Sequence, residues 1–148
     1  MSITLTYTLR SDDTAAPSRA TSGSAGYDLT VDEAVTLPVN ATRMATTGVA
    51  VAIPAGHVGL IVIRSSFGAK KGITLANQVG VIDSDYRGEM KLALRNNGDK
   101  PATIERGTRV AQLMVAPIAP IDNLTRAAEL PETERGTGGF GSTNEKER

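Results

Sequence analysis

The stretch that decides the fold runs from residue 49 to residue 63 and reads Val49-Ala50-Val51-Ala52-Ile53-Pro54-Ala55-Gly56-His57-Val58-Gly59-Leu60-Ile61-Val62-Ile63. Larger apolar residues alternate with alanine up to Ile53, which is the period-two pattern of a half-buried strand. Pro54-Ala55-Gly56 then predicts a turn, and residues 57–63 form a second apolar run. Two short strands separated by a tight turn indicate a β-rich chain.

The same pattern recurs on both sides of this stretch. Residues 3–9 (ITLTYTL) and 90–95 (MKLALR) also alternate, and residues 96–99 (NNGD) carry a strong turn signal. Residues 110–115 (VAQLMV) predict a further strand. Many short strands separated by Gly, Pro and Asn are typical of a β-sandwich, a jelly roll or a barrel.

Helical signals are confined to two short segments. Residues 65–71 predict a short helix behind a serine cap, and residues 123–130 predict a turn or two of helix. After Pro117 and Pro120 the chain becomes polar and charged. We therefore expect a β domain over residues 1–120 and a flexible C-terminal arm over residues 121–148.

Length and charge narrow the class of protein. A chain of 148 residues suits one domain with one core. Lys+Arg and Asp+Glu each number 16, so the basic excess of a protein that binds nucleic-acid polymers is missing. A single nucleotide needs only a local cluster of cations, and the balance of charge leaves that class open.

Composition also limits the chemistry and the compartment. The chain has no Cys, which excludes disulfides, Cys-ligated zinc and thiol catalysis. His57 is the only His; it cannot build a metal site and is expected to have an ordinary surface or core role. No apolar run approaches the ~20 residues that cross a bilayer, and residues 1–4 lack the start of a signal peptide. We expect a cytoplasmic protein without membrane contact.

Five segments carry a resemblance to a known family. They are residues 25–29 (AGYDL), 64–66 (RSS), 77–88 (NQVGVIDSDYRG), 107–112 (GTRVAQ) and 135–143 (RGTGGFGST). In residue types, order and spacing they resemble the five motifs of the trimeric dUTPase family. The resemblance implies an all-β jelly-roll protomer in a homotrimer whose active sites are shared between subunits. It also implies Mg²⁺-dependent hydrolysis of dUTP to dUMP and pyrophosphate, which clears dUTP from the nucleotide pool and supplies dUMP for dTMP synthesis.

The third segment contains the expected general base. Asp83 and Asp85 follow an apolar run, and acidic residues there are also ordinary turn residues. We interpret Asp85 as such a turn residue. For Asp83 the resemblance implies a general base, and a carboxylate suits that role because an attacking water must lose a proton.

The same segment is expected to recognise the nucleoside. Tyr86 is an aromatic residue in a polar turn, where a core anchor is the simpler interpretation. The resemblance instead implies that its ring packs against deoxyribose and excludes a 2′-hydroxyl. It also implies a hairpin whose backbone reads the uracil edge, formed by Asn77, Gly80, Val81 and Ile82.

The remaining segments are expected to hold the triphosphate. The resemblance implies phosphate contacts from Arg64, Ser65, Ser66 and Gln112, and from the arm residues Arg135, Gly138, Gly141, Ser142 and Thr143. Glycines let backbone N–H groups approach an anion closely, and an Arg fork can bond two phosphate oxygens. Phe140 is expected to close over the uracil ring, although it could also be an exposed tail aromatic. Asp28 is expected to hold Mg²⁺ through the water shell of the ion.

Two alternatives remain beside this interpretation. A dCTP deaminase, or a bifunctional relative of one, has the same fold and an Arg-Ser-Ser segment. It needs a catalytic Glu further along the strand of residues 90–94, which contains no acid, and Glu89 comes too early. A non-catalytic binding module should have lost Asp83, Tyr86 or the arm, and all three are present. An additional regulatory protein partner is compatible with the sequence but cannot be derived from it.

Overall fold

The computed structural model describes residues 3–139 and consists mainly of short strands. The elements are β1 Thr6–Leu9, β2 Tyr27–Thr30, β3 Val35–Leu37, β4 Thr42–Ala52, β5 His57–Ile63, α1 Ser65–Lys71, β6 Ile73–Leu75, β7 Gly80–Ile82, β8 Glu89–Asn96, β9 Ala102–Ile104 and β10 Arg109–Pro117. Within residues 3–139, no helix has the length and apolar character needed to cross a membrane.

The strands form two four-stranded sheets and one small ribbon. The first sheet has the order β1-β4-β8-β6, the second has the order β2-β10-β5-β7, and β3 pairs with β9. Neighbouring strands are antiparallel throughout. Two antiparallel four-stranded sheets joined by crossing connections are a jelly roll, so the predicted all-β fold is confirmed. The turn of residues 54–56 carries the chain from one sheet to the other.

The core lies between the two sheets. In β8, Met90, Leu92 and Leu94 are buried, whereas the alternating Lys91 is exposed. Such alternation follows from the pleat, which points successive side chains to opposite faces. The same cluster includes Ile61 from the second sheet. The predicted strand at residues 3–9 is shorter, since β1 covers only Thr6–Leu9.

The predicted helix at residues 65–71 is present as α1, but its cap differs. Arg64, not a serine, occupies the N-cap position, and no side chain makes a capping hydrogen bond. Phe67 is buried and holds the helix on the core. Gly72 ends the helix with φ 63°, a left-handed conformation that suits glycine. The Arg64 side chain is therefore free for another partner.

The predicted helix at residues 123–130 is wrong, because this segment is irregular. Leu124 and Leu130 are 96% and 87% exposed. An isolated helix shorter than about 12 residues is marginal without tertiary packing, and these side chains have no core to pack on. Between residues 118 and 139 the structure contains no strand or helix.

Candidate active site

An open cleft beside β7 and the start of β8 gathers much of the predicted site. Its volume is about 360 Å³, within the range of pockets that hold small ligands. The predicted residues that line it are Asn77, Gly80, Val81, Ile82, Asp83 and Tyr86. Sequence reasoning missed the other lining residues, which are Met44, Ile61, Glu89 and Lys91. Six residues predicted to bind uracil and sugar or to activate water thus share one cleft.

The floor of this cleft is a strand at the edge of a sheet. In β7, Gly80 lies opposite Ile61 and Ile82 lies opposite Gly59 of β5. Because β7 is the last strand of its sheet, its other edge has no strand partner among residues 3–139. β6 and β7 lie in different sheets, so the predicted hairpin at residues 77–82 is wrong. That segment links two sheets, and pairing with β5 holds the cleft floor in place.

Asp83 lies where β7 ends, with its side chain exposed to solvent. The backbone N–H of Tyr86 donates to the Asp83 carbonyl at 3.2 Å. Arg87 closes the same turn by donating to the carbonyls of Ser84 and Tyr86 at 2.7 and 2.8 Å. None of the ion pairs among residues 3–139 involves the Asp83 carboxylate. Within the described residues, the Asp83 carboxylate therefore faces solvent without a cationic partner.

Tyr86 stands on the wall of the cleft rather than in the core. The residue is 44% exposed, and its hydroxyl donates to the Glu89 carbonyl at 3.1 Å. A core-anchor role for this aromatic is therefore excluded. The ring presents an apolar face beside Asp83, where it can contact a flat or cyclic part of a ligand.

A second cluster surrounds Asp28 in β2. The Asp28 carboxylate is buried between two cations: its Oδ1 lies 3.3 Å from Arg64 Nε and its Oδ2 lies 3.3 Å from Arg109 Nη1. Arg64 Nη1 also donates to the Arg109 carbonyl at 3.2 Å. A buried carboxylate needs such partners, because an unpaired charge out of water is costly. Sequence reasoning assigned no role to Arg109.

The other predicted phosphate ligands lie around the same cluster. Gln112 is opposite both Asp28 and Val62 in the second sheet. A Cβ at Gly26 would come within 2.8 Å of Gln112 Oε1, so a glycine there lets the glutamine side chain lie against β2. Ser65 and Ser66 begin α1 and are exposed. Arg64, Ser65, Ser66, Gln112 and Asp28 therefore lie around one end of β5.

The two clusters are far apart within one chain. Asp83 follows Ile82, which lies opposite Gly59, whereas Arg64 follows the last residue of β5. At ~3.3 Å per strand residue, Gly59 and Arg64 are about 16 Å apart along the chain. Across the sheet, β7 and β2 occupy opposite edges. The expected base and the expected phosphate ligands of one chain therefore lie at different positions along β5.

The described part of the arm joins neither cluster. Arg135 Nε donates to the Gly138 carbonyl at 2.9 Å, and the Gly136 N–H donates to the Thr133 carbonyl. These bonds form a local turn. Phe140, Gly141, Ser142 and Thr143 lie outside the described residues, so their predicted roles stay predictions.

The Asp28 carboxylate fits an indirect role in metal binding. Residues 3–139 contain no group of three or more His, Cys, Asp and Glu that could hold a metal ion. Both Asp28 oxygens already face arginines. Hard oxygen donors suit Mg²⁺, which keeps several waters and is carried on phosphates. Asp28 therefore fits a contact through water and does not fit direct ligation in a cage.

A larger cavity of about 420 Å³ lies elsewhere and does not carry the chemistry. Its lining is mostly apolar, with Ile3, Leu5, Tyr7, Pro17, Ala25, Tyr27, Val51, Leu113 and Val115. Among residues 3–139, no carboxylate or basic side chain faces into it. The smaller cleft with Asp83 is therefore the candidate active site.

A jelly roll with an open cleft of small-ligand size, and with Arg64 and Arg109 paired to Asp28 elsewhere, fits the class of small all-β enzymes that handle phosphorylated ligands. Comparison with known proteins narrows this class. The family model described as dUTPase matches residues 12–144. A deoxyuridine 5'-triphosphate nucleotidohydrolase from Anaeromyxobacter is 44% identical over 127 residues, covering 86% of each chain. One from Hydrogenobaculum is 43% identical over 136 residues, covering 91% of this chain and 94% of its own.

Solved structures give the same result. A variant of the Staphylococcus bacteriophage 80alpha dUTPase, solved with dUpNHpp, superimposes with a TM-score of 0.89 at 29% identity. The match covers 96% of this chain and 99% of the phage chain. The chain belongs to the dUTPase family and is an enzyme of that class, a dUTP nucleotidohydrolase.

Proposed function

We propose that the chain hydrolyses dUTP at the α-phosphorus, giving dUMP and pyrophosphate, with Asp83 as the general base. The observation that carries this proposal is the cleft that brings the free Asp83 carboxylate together with Asn77, Tyr86 and the edge of β7. This arrangement offers a proton acceptor, an aromatic wall and unpaired backbone groups within one nucleotide-sized space. Family membership supports dUTP as the substrate.

Recognition of uracil is assigned to the β7 backbone and Asn77. The free edge of β7 offers N–H and C=O groups in a fixed order, since its other edge is paired with β5. Cytosine has an inverted pattern of donors and acceptors, so it would leave these groups unpaired. An unpaired buried polar group costs roughly 1–3 kcal/mol, which is enough to reject the wrong base.

The hydrolytic step requires only positioned groups and no covalent intermediate. Asp83 accepts a proton from water as the water oxygen bonds to the α-phosphorus. The bond from that phosphorus to the bridging oxygen breaks, and pyrophosphate leaves. Arg64, Ser65, Ser66 and Gln112, together with the arm residues Arg135, Ser142 and Thr143, stabilise the charge that develops on the phosphate oxygens.

The metal is assigned an indirect contact. Asp28 would face the water shell of Mg²⁺, with Arg64 and Arg109 fixing the carboxylate from both sides. When bound, the ion supplies positive charge to the triphosphate and orients it for in-line attack.

The distance between the clusters favours a site completed by other copies of the chain. About 16 Å separates Gly59, which lies opposite the last residue of β7 before Asp83, from Arg64, and a triphosphate attacked near Asp83 needs cations closer than that. A second copy can present its own Arg64, Ser65 and Gln112 to this cleft. We therefore assign a homotrimer in which one subunit gives Asn77, Asp83 and Tyr86. A second subunit gives Arg64, Ser65 and Gln112, and a third gives the arm. This assignment keeps the β domain at residues 1–120 and the arm at residues 121–148.

The proposal also covers the cellular compartment of the enzyme and any further protein partner. Absence of cysteine is compatible with a reducing cytoplasm, and we assign the enzyme there. Its role would be to remove dUTP and supply dUMP for dTMP synthesis. No feature of the described residues assigns an additional regulatory protein partner.

Substrate selectivity tests the proposed function directly. We expect dUTP to be cleaved with release of pyrophosphate, and UTP, dCTP and dTTP to have kcat/KM values lower by about 100-fold or more, because each leaves a polar or steric mismatch in a rigid site. Each nucleotide is assayed with and without Mg²⁺, and pyrophosphate, orthophosphate and ammonia are measured separately. Release of orthophosphate would place the attack at another phosphorus. Release of ammonia from dCTP would support the deaminase alternative.

The oligomeric state provides a second test. We expect multi-angle light scattering to give the mass of a trimer with or without nucleotide, since the chain alone does not complete the site. A monomer with full activity at micromolar concentration would contradict the shared site.

A further inference from the structure

The Tyr86 ring lies over Gly88, in the space that a side chain at residue 88 would occupy. A Cβ built on Gly88 would lie 2.4 Å from the Tyr86 hydroxyl oxygen, 2.6 Å from Cζ and 3.0 Å from Cε2. Real Cβ atoms do not approach other atoms this closely, so the ring and a side chain at residue 88 cannot coexist. The ring lies where it does because residue 88 has no side chain.

Conformation does not explain the glycine at this position. The φ angle of Gly88 is outside the left-handed region, unlike those of Gly48, Gly72 and Gly107. An alanine could therefore adopt the same backbone without strain. What an alanine would displace is the exposed Tyr86 ring rather than the core.

The hydroxyl end of the ring, which lies over Gly88, is also held by β8. The Tyr86 hydroxyl donates to the Glu89 carbonyl at 3.1 Å. Glu89 is itself fixed, because its Oε1 accepts the Gly48 N–H at 2.7 Å. This bond spans the irregularity in the β4–β8 ladder between Thr46 and Ala50. The acceptor for the hydroxyl is thus part of a paired strand.

We infer that Gly88 and the Glu89 carbonyl are positioning groups that set the Tyr86 ring and thereby the discrimination between deoxyribose and ribose. Gly88 lets the ring lie against the backbone, and the carbonyl fixes how far it projects into the cleft. Both groups act through the Tyr86 ring. The inference rests on the proposed function, in which the Tyr86 ring excludes a 2′-hydroxyl.

The experiment compares kcat/KM for dUTP and UTP in the Gly88→Ala variant. We expect the ratio of dUTP to UTP to fall at least about tenfold, the low end of what one steric contact contributes to selectivity. Gly23→Ala is the matched control, because a Cβ at Gly23 has no atom within 4 Å, and it should keep the wild-type ratio. Thermal unfolding should give similar Tm values for both variants.

A double-mutant cycle shows whether Gly88 acts through the ring. In a Tyr86→Ala background, Gly88→Ala should cause no further loss of selectivity, since the ring it displaces is gone. Tyr86→Phe tests the carbonyl without adding an atom, and it should lower the ratio by a smaller factor than Gly88→Ala.

The experiments contradict the inference, or one part of it, by the following results. A folded Gly88→Ala variant with the wild-type ratio overturns the inference, as does an equal loss in the Tyr86→Ala background. An unchanged ratio in Tyr86→Phe overturns the role of the Glu89 carbonyl. A wild-type enzyme that cleaves UTP and dUTP equally would remove the proposed function itself, and the inference with it.

Discussion

We expect Asp83→Asn to lower kcat by about 10²- to 10⁴-fold, the range that general-base catalysis contributes, while nucleotide binding persists. Asn keeps the shape of the side chain but cannot accept a proton from water. Asp83 is exposed, so the substitution should not disturb the core. Turnover is measured as the rate of pyrophosphate release. Binding is measured by calorimetry with dUpNHpp, the ligand of the phage structure.

A neighbouring acid provides the matched control for this variant. Asp85 is exposed, belongs to the same turn and has the same charge, but it does not line the cleft. Asp85→Asn should therefore retain turnover close to that of the wild type. If Asp83→Asn keeps a near-normal kcat and Asp85→Asn loses it, the base has been assigned to the wrong acid of the pair.

The strands could be predicted because burial repeats along them in a simple period. Met90, Leu92 and Leu94 alternate with more exposed residues, and the structure buries these three. The alternation reports which face of a strand points inward, and that is a local property. The helix at residues 123–130 was predicted wrongly because helical propensity is weak evidence without a surface to pack against.

The composition of the cleft could be predicted only in part. Asn77, Asp83 and Tyr86 lie close together along the chain, so their resemblance to one motif was enough to group them. The ion pair of Arg109 with Asp28 joins residues 81 positions apart. That contact depends on the register of β2 against β10, which no local pattern reveals. The position of the Tyr86 ring over Gly88 depends on the rotamer of Tyr86, which no local pattern reveals either.

The separation of the two clusters follows from topology. β5 is central because it pairs with both β7 and β10, and the two halves of the proposed chemistry lie at different positions along it. Sequence order alone does not show which residues lie at which end.

We expect two separately inactive variants to restore activity when they are refolded together. One is Asp83→Asn with its arm intact, and the other retains Asp83 but ends before Arg135. If each site takes its base from one subunit and its arm from another, random equal mixing gives each site about a one-in-four chance of having both. Up to about 25% of wild-type activity should then return. Native mass spectrometry verifies that mixed trimers have formed.

A second mixture separates exchange of the arm from folding back onto its own subunit. Here wild type is refolded with a chain that carries both Asp83→Asn and the truncation. An arm donated by another subunit leaves about one site in four active, whereas an arm that serves its own subunit leaves about one in two. In that second case the first mixture also stays inactive, because no site combines a base and an arm. If the site is shared, both mixtures should have similar activity, about a quarter of that of the wild type. No activity in the first mixture together with about half in the second would show that each subunit closes its own cleft.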